Sequence, residues 1–319
     1  MKYFKNSCYQ DSVLLSLLAI PNKFIDEKIL NKDIKDVVSK RNQIYKCSES
    51  IEEDITRRTD IQKELISIMN IVRNPNDEDK DQTCSRLREL IRKCPSIGGQ
   101  EFHNKSMQDA GEFLTYLFLL FGIENTRKQT ITNKYTNNIF EKEETLTDFI
   151  TSVRKTVSSP VVLIPPDGLK ENASIGNYLI YKENSIMDQE NLAKAPNGEY
   201  YNRLIVTNKI EDADYLVFYI QRKQLQTDGK IIVLETKIIP NRFISLNKKK
   251  TLYLHAIVTY KSSHYTCYIK CKKKWYYYND MSNDILYIGD YDELINKSEE
   301  RSYPDPTTMG VLYFYSLNN

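Results

Sequence analysis

Cys8 stands in the run Asn6-Ser7-Cys8-Tyr9-Gln10-Asp11-Ser12-Val13-Leu14-Leu15, with Leu17 and Leu18 just beyond. Small polar residues precede the thiol and an apolar helical pattern follows it, so the spacing predicts a nucleophile at the mouth of a helix. Unpaired backbone N–H groups and the positive end of the dipole favour a thiolate there. The same donors can later hold the oxyanion of a tetrahedral intermediate. The competing reading is a small buried apolar side chain, the common fate of a free cysteine.

A thiol nucleophile needs a base, and the chain has three histidines. His255 lies inside a stretch of alternating apolar residues and reads as structural. His103 follows Gly98-Gly99 and reads as a surface-loop residue. His264 is different, because it opens Tyr265-Thr266-Cys267-Tyr268-Ile269-Lys270, and Trp275-Tyr276-Tyr277-Tyr278 then leads to Asn279-Asp280. Aromatic and β-branched content predicts strands over 253–259, 265–270 and 275–278, with the Lys272 to Lys274 run in an exposed turn. Antiparallel pairing of the last two brings His264 within a residue or two of Asn279 and Asp280. A cysteine peptidase requires such a set: an imidazole to deprotonate the thiol, and a side-chain oxygen to fix its tautomer. Either Asn279 or Asp280 fits the last role.

The elements that must position these groups divide into a helical half and a strand-rich half. Ile25, Ile29, Val37 and Val38 fall in a helical stretch, and Ile61, Leu65, Ile68 and Val72 recur at helical spacing until Asn74-Pro75-Asn76-Asp77 breaks the pattern. A shorter helix around Leu87, Leu90 and Ile91 ends near Cys94-Pro95. Ser106 and Asp109 form a capping box for the next helix, which is expected to bury Met107, Ala110, Leu114, Leu117, Phe118 and Phe121. From about Thr130 strands alternate with turns.

Composition bounds the function. At 319 residues the chain can bury a large core, as one large domain or two. Lys and Arg number 45 against 43 for Asp and Glu, and a balance of +2 gives no electrostatic case for nucleic acid. The Lys248–Lys250 and Lys272–Lys274 runs read as solvated turns. Six cysteines without regular spacing fit a reducing compartment better than a disulfide framework. No run of 18 apolar residues and no signal-peptide pattern appears, so a soluble cytoplasmic monomer without a membrane partner is expected. Abundant Lys, Asn, Ile and Tyr fit an AT-rich genome, such as that of a large DNA virus or a protist.

The two chemical segments resemble those of the ubiquitin-specific protease class of deubiquitinases, in which a Thr/Ser-Cys-Tyr-x-Asn/Asp-Ser box pairs with a His-Tyr strand leading to Trp-Tyr-x-Phe-Asp/Asn-Asp. The box around Cys8 is most similar to the cylindromatosis-type branch, which also lacks glycine before the nucleophile. Gln108-Asp109-Ala110-Gly111-Glu112-Phe113-Leu114 resembles the family's Gln-Asp-Ala-x-Glu-Phe-Leu helix start. Tyr215-Leu216-Val217-Phe218-Tyr219-Ile220-Gln221-Arg222 and Lys237-Ile238-Ile239-Pro240 follow in family order.

The resemblance implies an α+β, papain-like cysteine peptidase: one catalytic domain with a helical thumb over 1–125, a fingers-like region over 126–212 and a β palm over 213–319. It implies hydrolysis of the bond after the C-terminal glycine of ubiquitin or of polyubiquitin chains. The rival readings are an inactive ubiquitin-binding scaffold and a cysteine peptidase for a ubiquitin-like or polyprotein substrate. Family register puts Asn279 at the His-orienting position, with Asp280 the alternative. It sets Asp109 and Glu112, one turn apart on one face, against the arginines of the ubiquitin tail, and Tyr265 on the channel for its Gly-Gly end. The family's oxyanion asparagine corresponds to Tyr3 here, so backbone N–H groups, or the amides of Asn6 or Gln10, must serve. Ser263 replaces the glycine before the histidine. The two Cys-x-x-Cys pairs of zinc-bearing members are missing, so neither a structural metal nor any cofactor is expected.

Overall fold

The computed structural model describes residues 5–40, 46–74, 84–94, 102–104, 106–136, 151–156, 159–179, 193–207, 210–247, 250–282, 284–296 and 302–317. Tyr3, the Asn74-Pro75 break beyond Asn74, Pro95, Gly98-Gly99, and Lys248 with Lys249 lie outside these.

Cys8–Leu18 forms a helix in which every residue is buried. Such a helix has no polar stripe to mark an outer face, which suits an element enclosed on all sides. It packs on the strands Lys250–Lys261 and His264–Cys271 and against two other helices, Ile51–Arg73 and Ala110–Leu120. The stretch from Ile25 to Val38 is helical but interrupted: Lys23–Ile25 continues as a π turn over Asp26–Leu30, and Ile34–Ser39 follows. Asn22 and Asp33 cap the two pieces through their side chains.

One expectation fails at the helix Ala110–Leu120. Its cap is Asp109, whose Oδ1 accepts the N–H groups of Gly111 at 2.7 Å and Glu112 at 3.2 Å. Ser106 plays no part, and Met107 precedes the helix. Asp109 has the extended backbone of a cap residue, and its carboxylate reaches two first-turn donors that a residue three positions earlier would miss. Gly111 is required next to it, since a Cβ there would sit 2.6 Å from the Tyr219 ring.

An eight-stranded sheet forms the other half. Lys250–Lys261 lies at its centre, antiparallel to His264–Cys271 on one side and to Gly310–Leu317 on the other. Lys274–Asn279 and then Asp284–Gly289 extend the first side, and Tyr215–Ile220 extends the second. Phe243–Asn247 pairs with the start of the central strand. Val162–Ile164 adds a parallel edge to Tyr215–Ile220, so the sheet takes one strand from the region before residue 213. Both faces are covered, so Tyr215–Ile220 is buried throughout and reads as an unbroken apolar run rather than an alternation. Tyr215, Val217, Ala256, Val258, Cys267 and Phe314 face the helices, whereas Phe218, Ile257, Tyr268, Trp275, Tyr313 and Tyr315 form a second core behind the sheet.

A separate four-stranded antiparallel sheet joins Thr151–Thr156, Thr130–Thr136, Tyr200–Thr207 and Ala193–Lys194 in that order. A short hairpin, Lys223–Leu225 with Ile231–Val233, stands out from the main sheet. Its base is fixed by buried Arg222, which donates to the carbonyls of Gly310, Leu234, Thr236 and Thr307. Lys272 and Lys273 turn in solvent as expected, but Lys250 does not: it opens the central strand and pairs with Asp212 at 2.7 Å and Asp214 at 2.6 Å.

Candidate active site

The approach to Cys8 is sharply bent. Lys5 and Asn6 both adopt the left-handed conformation, with φ of +49° and +62°, a costly pair for residues with side chains. Ser7 then caps the helix with its carbonyl, which accepts the N–H groups of Gln10 and Asp11. The Ser7 hydroxyl turns inward and donates to Asp11 Oδ2. Cys8 is thus the first residue of the helix, as its sequence context predicts.

The expected thiolate is not the resting state. Cys8 is 2% exposed, and burial pushes its thiol up to about 11. The backbone N–H groups of Tyr265 and Tyr9 act on the sulfur in the opposite direction, while Asp280 and Asp11 add to the rise. Two fixed donors offset only part of the desolvation. A proton acceptor must therefore work at the moment of attack.

The thiol rests against the backbone of Tyr265, the residue next in sequence to His264. The imidazole is placed by a two-residue hairpin turn. Lys261 pairs with His264, and Ser262 and Ser263 between them have φ of +50° and +62°. Two successive positive φ values give the twist that matches flanking strands, a geometry that glycine adopts most cheaply. This accounts for a glycine being usual before such a histidine.

Across the hairpin, Cys267 pairs with Tyr278, which brings the end of Lys274–Asn279 beside the start of the histidine strand. His264 Nε2 lies 2.9 Å from Asn279 Oδ1 and 3.3 Å from Asp280 Oδ1. With Nε2 donating to the amide oxygen, Nδ1 remains to take a proton. Asn279 Oδ1 also accepts the N–H of Met281 at 3.0 Å, which fixes the amide in turn. The structure thus brings together Cys8, His264, Asn279 and Asp280.

It separates other expected residues from the chemistry. Gln10 is fully buried: its Nε2 donates to the Phe102 carbonyl at 2.9 Å, and its Oε1 accepts from Arg88 Nε at 2.7 Å. The amide expected to serve an oxyanion is occupied in the core. Asn6 is half-buried at the bend. Tyr265 is buried. Its hydroxyl donates to Asp109 Oδ2 at 3.3 Å. Asp109 is therefore a strut between the helix start and the histidine strand. Glu112, half-buried, has its carboxyl raised by desolvation and by Asp109, with Lys223 acting against the rise.

The sequence reading missed one group. Asp11 lies behind Cys8, fully buried, and accepts from Cys84 Sγ at 2.8 Å as well as from Ser7. Burial raises its carboxyl most, and Asp280, at the strand end, is near enough to add to the rise electrostatically. An acid three residues into a helix ordinarily reads as a dipole partner, and nothing in its local pattern signals the nearness of Asp280.

Known proteins share this fold. The family described as Ubiquitin carboxyl-terminal hydrolase matches residues 1–287. The fold is similar to that of the SAGA DUB module Ubp8/Sgf11/Sus1/Sgf73 solved with monoubiquitin, at a TM-score of 0.64 and 14% identity, covering 100% of this chain and 69% of that one. The same module bound to ubiquitin aldehyde matches at a TM-score of 0.62, also with 14% identity and coverage of 100% and 69%. No curated protein matches the chain by sequence.

Proposed function

Because the chain belongs to the ubiquitin carboxyl-terminal hydrolase family, we propose that it cleaves the bond after the terminal glycine of ubiquitin with Cys8 as nucleophile and His264 as base. Asn279 orients the base. The observation that carries this reading is His264 Nε2 at 2.9 Å from Asn279 Oδ1, with the Cys8 thiol against the Tyr265 N–H next in sequence.

His264 takes the Cys8 proton as sulfur attacks the glycine carbonyl. Backbone N–H groups at the helix start, with the Asn6 side chain, hold the oxyanion. The lysine amine departs with the proton from His264, leaving a thioester. His264 then deprotonates water, which attacks that thioester; ubiquitin leaves as a carboxylate and the proton returns to sulfur. Glu112 meets the arginines of the ubiquitin tail, and Asp109 sets the height of its helix.

In the same reading the thumb spans 1–125, the fingers-like region 126–212 and the palm 213–319, with Val162–Ile164 lent to the palm sheet. The Ser7-Cys8 box without a preceding glycine, together with Ser263, supports a place beside the cylindromatosis-type branch. Composition supports a cytoplasmic protein of viral or protist source. The test is a ubiquitin probe with a C-terminal electrophile: wild type is labelled at Cys8, and Cys8→Ala loses both labelling and hydrolysis while keeping its fold. Labelling that maps to Cys267 instead would refute the assignment.

A further inference from the structure

Edge strands ordinarily carry charged or polar side chains where they face water, yet the outermost strand beside the site does not. Among the described residues, Asp284–Gly289 is the last strand at its end of the main sheet and pairs with Lys274–Asn279. Its Ile285 and Tyr287 are 69% and 59% exposed, and Met281, in the turn before it, is 66% exposed. Apolar side chains scattered singly over a surface are ordinary, but three gathered at the rim of an active site mark a contact surface.

Register fixes which way they face. Ile285 lies opposite Tyr278, which lies opposite Cys267, and directly opposed residues share a face of a sheet. Cys267 and Tyr278 belong to the core beneath the nucleophile helix. Tyr287 is placed likewise, through Tyr276 and Ile269. The apolar ledge is therefore on the Cys8 face, and it begins where the site ends. Asn279 pairs with Asp284, and the Met281 N–H donates to Asn279 Oδ1 at 3.0 Å. The Tyr287 ring is held in place, edge-on to Tyr276 with 5.7 Å between centroids and with Lys274 Nζ 5.8 Å from its own centre. A fixed aromatic side chain loses little freedom on binding, which suits it to anchor a partner.

The order of strands decides which half of a substrate reaches this ledge. The helix start that carries Asp109 and Glu112 sits over the strand Tyr215–Ile220, since the Tyr219 ring leaves no space for a Cβ at Gly111. From there the sheet runs through Gly310–Leu317 and Lys250–Lys261 to the histidine strand, then through Lys274–Asn279 to Asp284–Gly289. A ubiquitin tail that meets Glu112 arrives on one side of His264, and the group beyond the scissile bond lies on the other.

We propose that Met281, Ile285 and Tyr287 dock the acceptor ubiquitin of a polyubiquitin chain, the protein whose lysine amine departs. This rests on the reading of His264 as the base and Glu112 as the tail contact, and it extends that reading to the shape of the substrate: two folded ubiquitins, one on each side of the site. The ledge then adds affinity for chains and none for a ubiquitin whose C-terminal partner is small.

The experiment compares ubiquitin–rhodamine, which has no protein on the leaving side, with the full set of di-ubiquitin linkages. It uses wild type and the double variant Ile285→Thr/Tyr287→Thr, with Tm and oligomeric state measured for both. Threonine keeps the β-branched form that suits a strand while removing most of the apolar surface. The double variant should keep kcat/KM on ubiquitin–rhodamine within about twofold, and lose about fivefold or more on the di-ubiquitin that wild type cleaves best. In a Cys8→Ala background the intact ledge should bind that di-ubiquitin several-fold more tightly than monoubiquitin, and the double variant should bind the two alike. Equal losses on both substrates, or no loss on either, overturn the proposal, as does a wild-type dimer that the substitutions dissociate. Should the double variant lose Tm, Ile285→Thr alone is read by the same criteria. A wild type that neither hydrolyses ubiquitin–rhodamine nor labels at Cys8 would instead refute the underlying assignment.

Discussion

Cys8 is held as a thiol by its own burial, and this sets how the enzyme meets small electrophiles. With the group raised to about 11, roughly one molecule in ten thousand carries a thiolate at pH 7. Alkylation of the free enzyme by iodoacetamide should then climb about tenfold per pH unit from 7 to 10. A rate already flat by pH 6 would mean a preformed thiolate–imidazolium pair and would contradict a thiol held neutral by burial. The large ubiquitin probe should react far faster than iodoacetamide at pH 7, because it brings its carbonyl to donors already fixed in the site. The helix-start place of Cys8 and the meeting of His264 with Asn279 were legible in the sequence, since each segment has a distinctive local pattern. The nearness of Asp11 to Asp280 was not, because it depends on two distant segments meeting at depth.

At the scale of elements, the site is the junction of a helix start, a two-residue turn and a strand end. Cross-strand pairing put His264 beside Asn279, and this followed from aromatic and β-branched content alone. The Ser262-Ser263 turn was harder to foresee, because neither residue is one that positive φ selects. The cap of Ala110–Leu120 was misplaced for a different reason. Ser106 and Asp109 both carry capping side chains at the spacing of a capping box, and only the structure tells which one reaches the amides. Asp109→Ala should accordingly cost about 1 to 2 kcal/mol in urea unfolding, the usual range for a lost cap. Glu112→Gln should leave stability within about 0.5 kcal/mol and weaken ubiquitin binding several-fold, an effect erased on a Gly-Gly fluorophore without arginines. If the two variants behave alike in both assays, strut and substrate contact are not separate roles. Arg222 poses a sharper case: Arg222→Ala removes the donors for four carbonyls, two of them buried, and should destabilise the protein by about 3 kcal/mol or more. Limited proteolysis should then cut first in the released hairpin Lys223–Val233, and protection there would count against Arg222 as its anchor.

Across the whole molecule, the helical half, the sheet and their shared core were foreseen from periodicity. The boundary at 213 between the fingers-like region and the palm is crossed by Val162–Ile164, which joins the main sheet. A pairing of three residues with a parallel partner leaves no hairpin signal to read. The core also links stability to acid through His255. Its Nε2 is shielded and without a partner among the described residues, and burial holds the imidazole down at about 3. Above its ordinary value of 6.5 the ring is neutral whether folded or not and contributes nothing. Below it the unfolded chain binds a proton that the folded one refuses, so stability falls with pH until about 3. Between pH 8 and pH 5 this amounts to about 2 kcal/mol, and His255→Leu should lose that much less than wild type in urea titrations. Equal losses in the two proteins would show that His255 is not the acid-sensitive group.

The enclosure of Cys8–Leu18 has a further consequence. A helix with neighbours on every side cannot fray without parting the sheet from the helices, so its interior amide hydrogens exchange for deuterium only when the entire molecule opens. Their protection should therefore equal the global unfolding free energy, and no partly ordered form retains the nucleophile. Activity lost on mild heating or dilute urea is then a fall in the number of competent molecules. Each survivor turns over at its full rate, and a core substitution that costs about 1.4 kcal/mol enlarges the unfolded pool about tenfold without altering the chemistry of the rest.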